Sequence, residues 1–292
     1  MSKTKKAVII GSVLVGIGVI IGFFGIAIGG FKFPNGAVDL TTMKALHAEK
    51  KTVQIADVFD KIEIAGASSM DIEICKSKTG KNYVEYYDTD DWTSRVDVKD
   101  RVLKFTTDDK GKHKAIVSLG FGKDTAARLY LADAEYKEIS VTTLSGYVTI
   151  QDVNAETVNV SASSGDLYMK NINVPDSIMA TSSSGDIDLE NATAKQIELG
   201  ANSGDIEMQD ITAESLRMST SSGDIDLESC DAEKFDITTS SGDVDMEITA
   251  GRTYRFETKT NSGAVDVPDG GAGYDYLWKI VTSSGDVDVK QK

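Results

Sequence analysis

Acidic side chains recur at two fixed places in the second half of the chain, each time just after a Ser-Gly pair. The first set directly follows the glycine and consists of Asp166, Asp186, Asp205, Asp224, Asp243 and Asp286. The second set lies two residues further on and consists of Asp188, Glu207, Asp226, Asp245, Asp266 and Asp288. Carboxylates repeated at short intervals attract cations. The regular middle of both sets, from Asp186 to Asp245, is therefore the candidate site, for weakly bound Ca²⁺ or a basic peptide.

A structural interpretation of the same residues stays open. In it, the first aspartate of each pair only caps its turn through nearby backbone amides. The second makes the outer face of the protein soluble. The spacing differs from the nonapeptide repeat of dedicated Ca²⁺ rolls, so we assign no metal site or cofactor.

The spacing of the Ser-Gly pairs indicates the elements that position these carboxylates. Eight pairs follow one another at intervals of 19 to 22 residues: Ser145-Gly146, Ser164-Gly165, Ser184-Gly185, Ser203-Gly204, Ser222-Gly223, Ser241-Gly242, Ser262-Gly263 and Ser284-Gly285. Repeats of about 20 residues are typical of solenoids, in which each repeat forms one coil. The sequence predicts an all-β protein, a parallel β-helix with coils of 19–20 residues.

Alternation after each glycine predicts a strand with one buried face. The second and fourth residues are apolar, as in Ile187 and Leu189, whereas the first and third are mostly polar or acidic. An alanine recurs at the ninth place, where the chain must bend. Cys230 stands at an otherwise apolar seventh position, so we predict a core thiol. Two cysteines are too few for a disulfide framework.

Residues 141–292 form the predicted regular solenoid, and residues 55–140 an irregular β region that caps its N-terminal end. Solenoid ends expose strand edges that need protection. Because the last Ser-Gly pair is followed by a strand within Val287 to Lys292, we expect that strand to form the other edge.

The N-terminal segment predicts a membrane anchor. Residues 7–31 are uncharged, and a helix of that length crosses a bilayer. Three lysines within residues 1–6 indicate that this tail stays in the cytoplasm, followed by a juxtamembrane linker, 32–54. We therefore expect a single-pass cell-membrane protein with an extracellular C-terminal part. A cleaved signal peptide is the alternative, although the apolar run is long for one.

The charge is unevenly distributed. The chain carries 46 acidic and 31 basic residues, a net charge of −15, and residues 141–292 hold 27 acidic against 10 basic ones. Such a surface repels nucleic acid, which excludes nucleic-acid binding.

Catalytic motifs are absent from the sequence. It has no G-x-S-x-G, H-E-x-x-H, C-x-x-C or P-loop pattern. A polysaccharide lyase on a parallel β-helix is a remote alternative, because Arg217, Arg252 and Arg255 are scattered over unrelated positions. His113 stands in a polar stretch typical of a hairpin loop. We predict that the protein is not an enzyme.

The repeated Ser-Gly-Asp-[IV]-[DE]-[LMV] pattern, with Ala127 to Leu131 and Ile139 to Thr143 before it, resembles the putative-adhesin family of bacterial β-strand-repeat proteins. The resemblance implies a β-solenoid at the cell surface or envelope. Two functions follow as hypotheses: an adhesin-like module that binds a cell-wall component or cationic peptide, and an envelope-stress accessory protein that acts on a membrane partner.

Overall fold

The computed structural model describes residues 37–39, 44–45, 48–67, 70–89, 92–109, 116–118, 126–248, 254–268 and 276–291. The predicted tail 1–6 and membrane helix 7–31 lie outside these residues. Within them, no helix is long and apolar enough to cross a membrane. The chain divides into two compact units.

The smaller unit contains three strands that form an antiparallel sheet in the order β2-β1-β9. These strands are β1 (Ala37–Asp39), β2 (Lys44–Ala45) and β9 (Ile116–Ser118). The segment 32–54, predicted as a linker, therefore contains β1, β2 and most of β3.

The larger unit is built from β-strands alone in its described part. Its strands are β3 (Ala48–Ile55), β4 (Lys61–Ala67), β5 (Ile72–Lys76), β6 (Asn82–Thr89), β7 (Trp92–Lys99), β8 (Val102–Asp109), β10 (Ala127–Leu131), β11 (Glu135–Thr143), β12 (Val148–Gln151), β13 (Asn154–Ala162), β14 (Leu167–Ser182), β15 (Ile187–Ala201), β16 (Ile206–Ser219), β17 (Ile225–Glu228), β18 (Asp231–Thr238), β19 (Val244–Ile248), β20 (Tyr254–Lys259), β21 (Val265–Asp266), β22 (Tyr276–Val281) and β23 (Val287–Gln291).

Successive regular coils pair in parallel and in register, which confirms the predicted solenoid. Ile187 of β15 lies between Leu167 of β14 and Ile206 of β16, and all three are at most 1% exposed. Equivalent apolar residues therefore stack into a continuous core. Each such side chain contributes about 1.5–3 kcal/mol on burial. Cys230 is 1% exposed within this core, as its position predicted.

The Ser-Gly turns stack closely enough to require glycine. A Cβ atom added to Gly204 would lie 2.0 Å from the carbonyl oxygen of Gly185, and one added to Gly242 would lie 1.7 Å from that of Gly223. No side chain fits at such distances. This close approach explains the invariant glycine of the repeat.

A second corner within each coil uses backbone that non-glycine residues seldom adopt. The sixth residue after the glycine has a φ between 50° and 56° at five corners: Asp152, Asn171, Asn191, Asp210 and Ser229. Asparagine and aspartate tolerate this left-handed conformation best. The side-chain amide of Asn191 donates to Asn171, and that of Asn171 donates to Asp152. The corners are thus also joined from coil to coil.

The order of coils departs from sequence order at the C-terminal end of the solenoid. β23 pairs with β19 on one side and with β21 on the other, and β22 likewise lies between β18 and β20. The expectation that the strand from Val287 forms the edge is therefore wrong. The edge is β20 and β21, from the preceding repeat.

The N-terminal end shows the same interleaving. β4 lies between β11 and β8, and β5 lies between β12 and β10. The region predicted as an irregular cap thus supplies true coils of the stack. Its end is covered by antiparallel strands, β7 on β8 and β6 on β10.

Candidate functional site

The aspartates that directly follow the glycines bind the next coil. Oδ1 of Asp186 accepts a hydrogen bond from the backbone N–H of Asp205 at 2.9 Å, and Oδ1 of Asp205 accepts one from Asp224 at 2.8 Å. The same bond joins Asp166 to Asp186, Asp224 to Asp243, and Asp243 to Asp286. The structural interpretation predicted that these aspartates cap turns, which they do. Each carboxylate, however, caps the turn of the neighbouring coil and not its own.

The second acidic set forms a separate column on the outer face of the strands that follow the turns. In it Asp188 lies in register with Glu207, Glu207 with Asp226, and Asp226 with Asp245. We call these four residues the carboxylate column. Strands of a sheet lie about 4.8 Å apart, so four like charges follow one another along about 14 Å.

The carboxylate column lines an open groove with a volume of about 560 Å³. Three further carboxylates, Glu190, Glu228 and Glu247, line it from two residues further along their strands. Lys290 is the basic residue in the lining. The groove therefore has a strongly negative potential.

The two lysines nearest the groove are already paired. At one end, Lys170 and the hydroxyl of Tyr168 both donate to the carboxylate of Glu190. At the other end, Lys290 donates to Asp288 at 2.7 Å. Within the described part of the chain, no basic side chain lies within ion-pairing distance of Glu207 or Asp226. The middle of the column is thus left uncompensated.

Burial and mutual repulsion perturb the titration of the carboxylate column. Partial burial raises the pKa of Asp188 to about 6, with smaller contributions from Glu207, Asp186 and Asp166. Burial also raises the pKa of Asp226, and the charges of Asp245 and Glu207 raise it further. Both shifts follow from bringing like charges together at a surface partly shielded from water.

The arrangement is a column, not a cage. Within the residues described, no group of three or more His, Cys, Asp or Glu side chains is gathered so that it could hold a metal ion. Ca²⁺ takes six to eight oxygen ligands, whereas the carboxylate column offers its carboxylates along a line.

Charges on the second strand run of the same coils follow a different rule. Here Glu198 lies in register with Arg217, Arg217 with Asp236, and Asp236 with Lys279. Lys279 is followed by Glu257. We call these five residues the alternating column, because the sign changes at every step. Nε of Arg217 lies 3.7 Å from the carboxylate of Asp236. This face compensates its own charge.

The candidate catalytic bases are not brought together. Arg217 belongs to the alternating column, and Arg255 lies on the edge strand β20. Arg252 and His113 lie outside the described residues. Burial raises the pKa of the Cys230 thiol to about 12, which leaves it protonated and unreactive at neutral pH.

One set of functional hydroxyls was not predicted. Oγ1 of Thr220 accepts from the N–H of Gly223 and donates to the carbonyl of Gly204, both at 3.1 Å. Ser182 and Thr239 form the same bridge at their turns. The signal was present, since a Ser or Thr precedes most of the glycines by three residues. The recurrence of Asp or Asn at the sixth place after the glycine could likewise have predicted the left-handed corner.

Comparison with known proteins places the fold. The chain is 20% identical to a Bacteroides fragilis protein described as a putative adhesin, over 84% of this chain and 97% of that one, with a TM-score of 0.50. A Parabacteroides merdae putative adhesin is 14% identical, over 83% and 96% of the two chains, with a TM-score of 0.44. A Parabacteroides distasonis protein described as a putative lipid-binding protein is 16% identical, over 82% and 96%, with a TM-score of 0.48.

No curated protein matches the chain. The Toastrack DUF4097 family matches residues 59–292, which include every regular coil and the interleaved coils at both ends. The likeness to the Bacteroides fragilis structure extends over most of the same region and shows the same fold. The protein therefore belongs to the Toastrack DUF4097 family.

Proposed function

We propose that the protein is a non-catalytic, adhesin-like binding module whose groove binds a cationic partner. The main support for this proposal is the contrast between the carboxylate column and the alternating column. The alternating column changes sign at every step, yet the carboxylate column stacks four acids in succession. Adjacent like charges destabilise a sheet, so this repulsion is retained at a cost that a bound cation would relieve.

The dimensions of the groove favour an extended, basic peptide segment. An extended chain advances about 3.4 Å per residue, so about five residues span the carboxylate column. Lysine side chains can then alternate between this column and the parallel row of Glu190, Glu228 and Glu247. The described Bacteroides fragilis relative, a putative adhesin, supports a binding role of this kind.

We further propose that the binding module is displayed outside the cell. The support comes from the sequence: residues 7–31 are long and apolar enough to anchor the chain, with lysines on the N-terminal side. An extracellular acidic groove would meet basic segments of surface proteins or cationic peptides. Such partners carry the complementary charge.

The test is calorimetric titration of the protein with a pentalysine peptide at low salt. We expect binding that weakens as salt is added, because the attraction is screened. The variant Glu207→Gln/Asp245→Asn should bind about tenfold more weakly, at up to 1 kcal/mol for each exposed pair lost.

The matched control is Glu198→Gln/Asp236→Asn, which changes the net charge equally but alters the alternating column. It should bind almost as well as the natural protein. An equal loss in both variants would mean that only net charge matters, and the groove would not be the site. Absence of heat with pentalysine at any salt concentration would refute the proposed function.

A further inference from the structure

Asp188 is the most enclosed member of the carboxylate column. It lies on β15 between two neighbouring strands in strict register. From β14 it is faced by the phenol of Tyr168, with Lys170 and Asp166 close by. From β16 it is faced by Glu207, with Asp205 at the turn, and on its own strand it is flanked by Asp186 and Glu190. Five of these six ionisable neighbours, apart from the phenol, are acidic and act on the same carboxylate.

The nearby base does not compensate Asp188. Lys170 donates to Glu190, and Tyr168 donates to the same carboxylate. The turn aspartates Asp166 and Asp186 are also engaged, because their Oδ1 atoms accept backbone hydrogen bonds from the next coil. Of these groups, Asp188 is therefore one that can relieve the crowding of charge by taking up a proton.

Asp226 repeats the situation two coils away. From β16 it is faced by Glu207, with Asp205 at the turn, and from β19 by Asp245, with Asp243 at the turn. Asp224 and Glu228 flank it on its own strand. In the described residues no lysine or arginine is paired with it. A proton on Asp226 separates the charges of Glu207 and Asp245.

We propose that the carboxylate column is a proton-operated release device: mild acidification protonates Asp188 and Asp226 in turn, and the groove then releases its cationic partner. This inference rests on the proposed function, because it describes how that same groove is regulated. Protonation at alternate positions leaves Glu207 and Asp245 separated by a neutral group. The raised pKa values of Asp188 and Asp226 support proton uptake at these two positions.

The test measures pentalysine binding at pH 7.5, 6.5 and 5.5 at constant ionic strength. The peptide is acetylated at its N-terminus and its lysine side chains stay charged throughout this range, so any change in affinity comes from the protein. We expect the affinity to fall about fivefold between pH 7.5 and pH 5.5, the loss for one exposed pair, as Asp188 takes up a proton. The variant Asp188→Asn/Asp226→Asn should bind weakly at pH 7.5 and change less than about twofold. The control Glu198→Gln/Asp236→Asn should keep the full pH dependence.

A second measurement separates this inference from the proposed function. Carbon NMR of the side-chain carboxyls follows the protonation of Asp188 without any ligand. A midpoint near pH 6 supports the protonation step even if pentalysine fails to bind, in which case the proposed function is refuted while the titration of the carboxylate column stands. A midpoint near pH 4, or binding that is unchanged between pH 7.5 and pH 5.5, would overturn the inference.

Discussion

At the scale of single residues, the turn is the most constrained part of the molecule. One short stretch supplies a hydroxyl that bridges two coils, a glycine that admits the neighbouring carbonyl and an aspartate that accepts from the next backbone. The glycine and the aspartate could be predicted from the repeat, since both recur at a fixed place. The direction of the aspartate bond could not, because a capping carboxylate can reach its own turn or a neighbour's.

One coil lacks the hydroxyl bridge, because it has alanine at the place where the next coil has Thr220. Thr220 is in register with Ala201 of the preceding coil, next to the paired Ser219 and Gly200. Replacement of Thr220 by Val should lower the free energy of unfolding by about 1–3 kcal/mol, since two buried backbone groups lose their partner. Conversely, Ala201→Thr should raise it by about 1 kcal/mol. Urea denaturation of both variants measures the two effects, and equal destabilisation would contradict the bridge.

The close approach of the turns predicts a sharp difference between two glycines of the same region. Gly204→Ala should cost about 3 kcal/mol in unfolding free energy, because its Cβ would meet a backbone carbonyl. Gly200→Ala is the control: the nearest atoms to its Cβ would lie at 3.6 Å, an ordinary contact. It should be neutral or slightly stabilising. Thermal unfolding distinguishes them.

Asp188 also predicts how stability depends on pH. Its pKa is higher in the folded protein, about 6, than in an unfolded chain. Its stabilising contribution to the free energy of unfolding is therefore fully present at low pH and is lost as the pH rises through 6. Urea denaturation at pH 5, 6 and 7 should show the natural protein losing stability relative to Asp188→Asn. The lowered pKa values of Asp60 and Glu190 act only at lower pH. A constant difference between the two proteins would contradict the shift.

At the scale of strands and coils, the sequence repeat predicts what stacks but not in which order. The alternation of apolar residues sets the face of each strand, and every regular coil obeys it. The repeat period alone suggests that neighbours in sequence are neighbours in space. That assumption fails for β20 to β23, where the intervals widen to 21 and 22 residues. Ala264 was a further signal, since it stands where six of the other seven turns have aspartate, and its N–H donates to Asp286.

Engineered disulfides test this order directly. Asp245 is in register with Asp288, whereas Asp266 lies one strand further on. In a background with Cys75→Ser, the pair Asp245→Cys/Asp288→Cys should oxidise readily, because adjacent strands meet the distance a disulfide needs. The pair Asp245→Cys/Asp266→Cys should stay reduced. Mass spectrometry of peptides under non-reducing conditions reports the result, and the opposite pattern would restore sequence order.

At the scale of the whole molecule, charge is sorted by face. The negative excess that the sequence locates in residues 141–292 falls largely on turns and on the groove, while the alternating column stays balanced. Composition predicted the excess and excluded nucleic acid, but not this sorting. The alternating column can be identified only from the register of the second strand run. For the same reason the two acidic sets were predicted together as one candidate site, whereas the register separates the set that caps the turns from the carboxylate column.

The interleaved coils predict that the larger unit folds as a whole. A chain truncated after residue 268 lacks β22 and β23, so β18 and β20 lose their shared neighbour. We expect such a chain to be digested by protease far beyond its new end, well into β18 and β19. Cleavage confined to residues 254–268 would show instead that the remaining coils close by themselves.

A protein synthesised from its N-terminus presents β20 and β21 before the segment that must lie beneath them exists. The open end of the stack would accept them there, in the place that belongs to β22 and β23. For the stack to be completed, β20 and β21 must either stay unpaired until β22 and β23 have been made or be displaced by them. The synthesis of the last residues thus decides whether the stack of coils is completed correctly. A chain interrupted before them keeps β20 and β21 in the wrong place.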